Sequence, residues 1–223
     1  MNILIDTNIL INAITHRSYL APKDIHWGDK THTVNILTRG PSPPREDEIF
    51  RIQNIPYLAS ICLLARQGFF EFYRSIELRM ERVRHKGKFY NQGYVGVNFF
   101  EGIQIKPARS PIERTIYISP EYSCGTDENE QMSFFKSINH PRFIELRKLF
   151  NKDSYIDDIS HYWTAEFNEL DVFLTMDNKF YETYIKNKRK IISSTQVMIP
   201  KELCIEMSIP PTDIEEYAKN HIP

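Results

Sequence analysis

The chain has little cysteine, no long apolar run and no excess of either charge, and each absence removes a class of protein. Its three cysteines, Cys62, Cys124 and Cys204, are odd in number and far apart. That excludes a disulfide framework, and no pair has the close spacing of a zinc site. A reducing compartment is the expectation. Nothing reaches the roughly 20 apolar residues of a membrane span. The amino-terminal segment is apolar but is interrupted by Asp6 and by asparagines, and it lacks the basic start and long apolar run of a signal peptide. A cytoplasmic protein without a membrane partner is therefore expected. Lys and Arg number 28 against 29 Asp and Glu, a net charge of -1. Any binding of nucleic acid must then come from a local patch.

What is present suits an ordinary folded domain. The 223 residues are 41% hydrophobic and 26% charged, and that length can bury a proper core. With 14 Phe and 12 Tyr the chain is too aromatic for a disordered protein. A single domain spanning 1–223 is expected, with insertions at 21–50 and 88–135.

Apolar patterning sets out the elements. Asn2 to Ile5 reads as a short buried parallel strand, cut off by Asp6-Thr7-Asn8, with a helix starting just after that trio. From Ala21 to about Glu48 the pattern fails, apart from a short strand at Thr33 to Leu37 and a loop at Gly40 to Pro44. A helix over Ile55 to Arg66 stops at Gly68. Phe69 to Tyr73 reads as a strand and Ser75 to about Arg84 as a helix. Between Phe89 and Asn129, short strands at Tyr94–Val97, Ile103–Ile105 and Thr115–Ile118 suggest an inserted β-rich segment. Helical patterning returns over Phe134 to Phe150 and over Ile156 to Leu170. The strand Asp171 to Leu174 leads into Thr175-Met176-Asp177, followed by a helix over Lys179 to Lys188. A last short strand, Gln196 to Ile199, precedes a helical tail. Alternating strands and helices imply a mostly parallel sheet covered on both faces.

Two buried strands end in acidic groups, Asp6 and Asp177, and in parallel α/β sheets functional groups collect beyond the carboxyl ends of strands. Two further acids, Glu77 and Asp158, open helices. Taken singly, each carboxylate can be an N-cap or a first-turn acid that complements the helix dipole. Glu71 and Glu81 rival Glu77, and Asp157 rivals Asp158. His161 lies three residues after Asp158, near the same helix face, and reads as a packed, hydrogen-bonded helper rather than a metal ligand.

Taken together, the segments LIDTNILINA, FYRSIELRME, IDDISHYWTAE and DVFLTMDNKF resemble, in order, the four signature segments of the PIN-domain family of metal-dependent ribonucleases. The matching features are Asp-Thr-Asn after the first strand, a Glu opening a mid-chain helix, Asp-x-x-His-x-x-Thr-Ala on a later helix, and Thr-x-Asp after the next strand. The resemblance covers the two ends of the chain and leaves out residues 21–50 and 88–135. It implies a PIN-like three-layer α/β/α sandwich with a mostly parallel central sheet and an inserted β-rich segment. It also implies an endoribonuclease site in which Asp6, Glu77, Asp158 and Asp177 hold a metal, with Thr7, Asn8 and Thr175 as polar neighbours. Clustered carboxylates repel unless a cation compensates, and all-oxygen ligands select Mg2+ or Mn2+ over zinc. Such ions orient a water and neutralise charge on a cleaved phosphate.

RNA, an antitoxin-like protein inhibitor and a second copy of the chain are the candidate partners, in keeping with a toxin or a defence effector. Arg74, Arg79, Arg82, Arg84, Lys86 and Lys88 form the densest basic run, and Lys186, Lys188, Arg189 and Lys190 form a second. Either can track a phosphate backbone or be a solvated face. Tyr90, Tyr94, Phe99 and Phe100 can stack on bases or build a local core. The rival readings are a PIN-fold binding scaffold with little or no catalysis and a nuclease for DNA flaps. The latter lacks the further acidic residues and helical arch it would need.

Overall fold

The computed structural model describes residues 1–13, 17–40, 49–78, 98–113 and 128–221. Its centre is a parallel five-stranded sheet. In chain order its strands are β1 (Asn2–Ile5), β4 (Glu71–Arg74), β5 (Ile105–Pro107), β6 (Val172–Leu174) and β7 (Gln196–Met198). They lie side by side as β5-β4-β1-β6-β7. The chain therefore steps outward from β1 through β4 to β5, crosses back, and steps outward on the other side through β6 to β7. The order reverses between β1 and β6, which are paired Ile3 to Val172, Leu4 to Phe173 and Ile5 to Leu174. In open parallel sheets that reversal leaves a crevice beyond the carboxyl ends of the strands, where ligands bind.

Both faces of the sheet are covered, because successive side chains point to opposite sides. Ile3, Ile5, Phe72, Val172, Leu174 and Met198 belong to one core. It is completed by α1 (Thr7–Asn12), α2 (Ile49–Arg66), α7 (Pro200–Glu206) and α8 (Ile214–His221), through Ile9, Leu58, Ile61, Leu203 and Tyr217. Leu4, Phe173 and Val197 belong to the other core. That one is built by α3 (Glu128–Ser137), α4 (Pro141–Phe150), α5 (Ile156–Phe167) and α6 (Asn178–Asn187). Phe150 stacks on Phe180 at 4.7 Å, and Phe180 meets Phe173 edge-on at 6.0 Å. A fully buried aromatic side chain of this kind contributes roughly 1.5–3 kcal/mol from burial alone. The arrangement is α/β and compatible with a three-layer sandwich.

Several elements differ from their sequence reading. The span 21–48, where no pattern was expected beyond Thr33 to Leu37, holds most of a long hairpin of β2 (Arg17–Trp27) and β3 (Lys30–Gly40). The strands pair antiparallel along their full length in a separate two-stranded sheet. Gly28 turns the hairpin at φ +63, which an L side chain rarely adopts. The helix expected from Ile55 starts at Ile49 and carries Pro56 inside it. The helix expected over Phe134 to Phe150 is two, because Pro141 disfavours helical backbone at His140 and instead begins a new helix that His140 caps.

Within the segment 88–135, β5 joins the edge of the main sheet beside β4. Phe99 and Phe100 are buried against Tyr217 and Phe72, at ring distances of 5.1 and 5.0 Å. Both rings join the main core beside the sheet rather than a local core of the segment. Arg66 ties the segment down, donating to the Phe99 carbonyl at 3.0 Å, the Glu101 carbonyl at 3.2 Å and the Tyr217 hydroxyl at 2.6 Å. The expected loop at 41–44, the strands at Tyr94–Val97 and Thr115–Ile118, Tyr90, and the helix beyond Leu78 lie outside the described residues.

Candidate active site at the carboxyl edge of the sheet

β1 stops at Asp6 because that side chain takes over the backbone's role. Its Oδ1 accepts the Thr7 N–H at 2.6 Å and caps α1. Its Oδ2 accepts the Thr175 hydroxyl at 2.8 Å and the Asn8 amide at 3.3 Å. Asp6 is 2% exposed and Thr175 is fully buried. The Thr175 oxygen in turn accepts the Asp177 N–H at 2.9 Å. One hydroxyl thus joins the ends of β1 and β6 at the point where strand order reverses, with the expected residues Asp6, Thr175, Asp177 and Asn8 gathered around it. Asp177 is half-buried, and its Oδ1 caps α6 through the Phe180 N–H at 2.9 Å.

On the other side of β1, β4 ends at Ser75, whose hydroxyl accepts the Leu78 N–H at 3.1 Å. Residues 76–78 are helical, which puts Glu77 in a first turn, as expected. Glu77 is 1% exposed. Ser75 also meets the ring of His161, Oγ to Nδ1 at 2.7 Å, and both side chains are buried. That contact seats α5 against the carboxyl end of β4. Asp158 is one turn before His161 on the same face of α5. Its rival Asp157 points a different way and accepts the Gln131 amide of α3 at 2.6 Å. The other rival, Glu71, starts β4 at the opposite edge of the sheet, where it pairs with Lys106 at 2.8 Å. Glu81 lies outside the described residues.

The donor chemistry fits a hard divalent ion, since Asp6, Glu77, Asp158 and Asp177 offer only carboxylate oxygens. Among the described residues, however, no three His, Cys, Asp or Glu side chains are already gathered into a group that could hold an ion. Binding a metal here would require the side chains to draw together.

The basic residues divide in the same way between the two edges. Arg74 is half-buried at the end of β4, and Arg79, Arg82, Arg84, Lys86 and Lys88 lie outside the described residues. Lys186 and the turn Lys188–Lys190 end α6, a ten-residue helix and so about 15 Å from its cap at Asp177. Lys188 reaches Gln196 at the start of β7, which puts that cluster at the amino edge. Sequence reasoning missed a third group. Arg147, Lys148 and Lys152, with Asp153 among them, line a cleft of about 460 Å³ whose apolar wall is Ile144, Ile156 and Ile159, the last two from the first turn of α5. The signal was present as two cations in the last turn of α4 and a third just beyond it. Comparison with protein-family models, with curated proteins and with solved structures finds no match for this chain.

Proposed function

We propose that the protein is a PIN-like, metal-dependent endoribonuclease that hydrolyses RNA phosphodiester bonds at the carboxyl edge of the parallel sheet. The observation that carries the reading is the Thr175 hydroxyl joined to Asp6 and Asp177 at the strand-order reversal, with the buried Glu77 at the next strand end. Acidic groups withdrawn from water at one edge repel each other, and a divalent cation relieves that repulsion. Asp6, Asp158 and Asp177 would hold Mg2+ or Mn2+, with Glu77 as a further ligand or as the group that orients water. When bound, such an ion polarises the phosphate and activates water. Thr175 and Asn8 position Asp6 by donating to its Oδ2. Arg74 and the cleft of Arg147, Lys148 and Lys152 supply positive charge for the strand. A toxin or defence role, with an antitoxin-like inhibitor as partner, belongs to the same proposal.

One observation favours a second reading, the binding scaffold. Both oxygens of Asp6 already accept hydrogen bonds, and Asp6 and Asp177 each cap a helix, which suffices to explain them structurally. Cleavage of a mixed RNA pool by wild type and Asp158→Asn, with Mn2+ or Mg2+ and then with chelator, separates the two. The nuclease reading expects cleavage that needs both the metal and Asp158. A folded wild type that neither binds metal nor cuts would establish the scaffold.

A further inference from the structure

Among the described residues, the hairpin of β2 and β3 pairs only with itself in the sheet topology. A lone two-stranded ribbon of this length is marginal in water, and its two faces are unlike. On one face polar side chains bond each other: Thr33 donates to Asp24 at 2.6 Å, and Thr31 meets His26 at 3.0 Å. The pairing register puts Lys23, Ile25, Trp27, Lys30, His32, Val34 and Ile36 on the other. That face carries no carboxylate. Trp27 stands at its tip opposite Lys30 and is 82% exposed, whereas the only other tryptophan, Trp163, is 3% exposed. Ile25, 45% exposed, lies opposite His32 on the same side. The hairpin as a whole holds Arg17, Lys23, Lys30 and Arg39 against Asp24 and Asp29, a local excess of cations in a chain of net charge -1.

We infer that this face is a binding arm for single-stranded nucleic acid, with Trp27 stacking on an unpaired base and Lys23 and Lys30 meeting the flanking phosphates. Charge selects the occupant: a carboxylate-free face with two lysines suits a polyanion. The bare indole selects unpaired bases over a duplex, whose bases are already stacked. The inference deepens the nuclease reading by naming how the strand is held, and it rests on that reading for RNA rather than DNA as the natural strand.

The test uses the full chain in EDTA, where no cleavage is required. A labelled 12-nucleotide oligouridine, the matching oligothymidine and a 12-base-pair duplex are titrated, and anisotropy is read beside tryptophan emission. The single strands are expected to bind more tightly than the duplex and to quench Trp27, while buried Trp163 keeps its emission. Tighter binding of the oligothymidine than of the oligouridine would assign the arm to DNA strands and overturn the RNA assignment. Trp27→Ala is expected to weaken binding at least about 10-fold, and Trp27→Phe to restore most of it. Lys30→Gln is expected to weaken binding and flatten its salt dependence. Asn35→Asp, an equal charge change on the other face, is expected to leave affinity within about 2-fold. No binding by wild type, unchanged affinity in Trp27→Ala, or equal losses in Lys30→Gln and Asn35→Asp would overturn the proposal. So would a dimer in sedimentation that Trp27→Ala dissolves, which would assign the face to a second copy. Binding without metal-dependent cleavage would sink the nuclease reading and spare the arm. Cleavage with unchanged Trp27→Ala affinity would do the reverse.

Discussion

β4 and β6 each have an acidic residue at or just beyond both ends, Glu71 and Glu77 for the first, Asp171 and Asp177 for the second. At the amino edge the acids are exposed. Glu71 accepts from Lys106 at 2.8 Å and Tyr73 at 3.1 Å, and Asp171 accepts the Asn2 N–H at 2.7 Å. At the carboxyl edge Glu77 and Asp6 are buried and Asp177 is half-buried. The strands, their register and the residue type are shared, so the difference comes from the segment into which each strand leads. β1, β4 and β6 each hand the chain to helical residues whose first N–H groups face back toward the sheet. Asp6, Ser75 and Asp177 satisfy them. Those donors make the carboxyl edge hospitable to anionic oxygen, whereas the amino edge receives helix and turn ends and leaves Glu71 to Lys106 and Asp171 to a single backbone N–H.

The most severe way to break this comparison is to neutralise acids at each edge in turn. Asp6→Asn and Asp177→Asn are expected to lower metal-dependent RNA cleavage by at least about 100-fold, the scale of losing a positioned electrostatic group. Melting temperature should hold or rise slightly for Asp177→Asn, whose amide oxygen still caps α6, and fall for Asp6→Asn, because both Asp6 oxygens accept hydrogen bonds and an amide keeps one acceptor. Glu71→Gln and Asp171→Asn should leave the rate unchanged. Unfolding of both carboxyl-edge variants would reduce Asp6 and Asp177 to helix caps.

A finer comparison removes one buried hydroxyl from each edge. Thr175→Val deletes a bond to a carboxylate and leaves the Asp177 N–H unanswered, at a cost of about 1.5–3 kcal/mol. For a chain of this size the melting temperature should fall by roughly 3–12 °C. Thr195→Val deletes only a bond to the Leu170 carbonyl, 2.7 Å long, and should lower it by about 2–4 °C. Equal falls would mean that charge does not distinguish the edges.

The smallest effect is a titration. Lys106 and Tyr73, through their hydrogen bonds, hold the Glu71 carboxyl below its ordinary 4.5, and Glu71 holds the Lys106 ammonium above its ordinary 10.5. The Glu71 contribution to stability is full above its unfolded value and is lost as pH falls through the folded one. The Lys106 contribution is full below its unfolded value and is lost as pH rises through the folded one. Stability differences between wild type and Glu71→Gln should therefore be flat from about pH 5 to about pH 10. Carbon-detected NMR of the Glu71 carboxyl should show the lowered midpoint, and a midpoint at or above the ordinary value would remove the pairing.

Much of the sheet was legible in the sequence because a buried parallel strand is a short apolar run that ends abruptly. Asn2–Ile5 and Val172–Leu174 stand where the apolar runs predict them, each followed by its acidic group. The hairpin was not legible as a pair of strands, because Pro22 and scattered charge blur its alternation. Trp27-Gly28-Asp29-Lys30, a two-residue glycine turn between alternating segments, was the available signal. The contact between Ser75 and His161 was hidden for a different reason. It joins residues 86 apart, and neither residue's local pattern names the other.

Local patterning alone set which segments are strands and helices around the site and where each carboxylate falls relative to an element's end. Those properties come from periodicity and capping over a few residues. Tertiary packing decided that β1 and β6 are neighbours at the reversal of strand order, that Thr175 joins Asp6 to Asp177, and that Glu77 is buried while Glu71 is exposed. Those outcomes depend on which distant strands close against one another to bury both faces of the sheet, and local spacing carries no record of that choice.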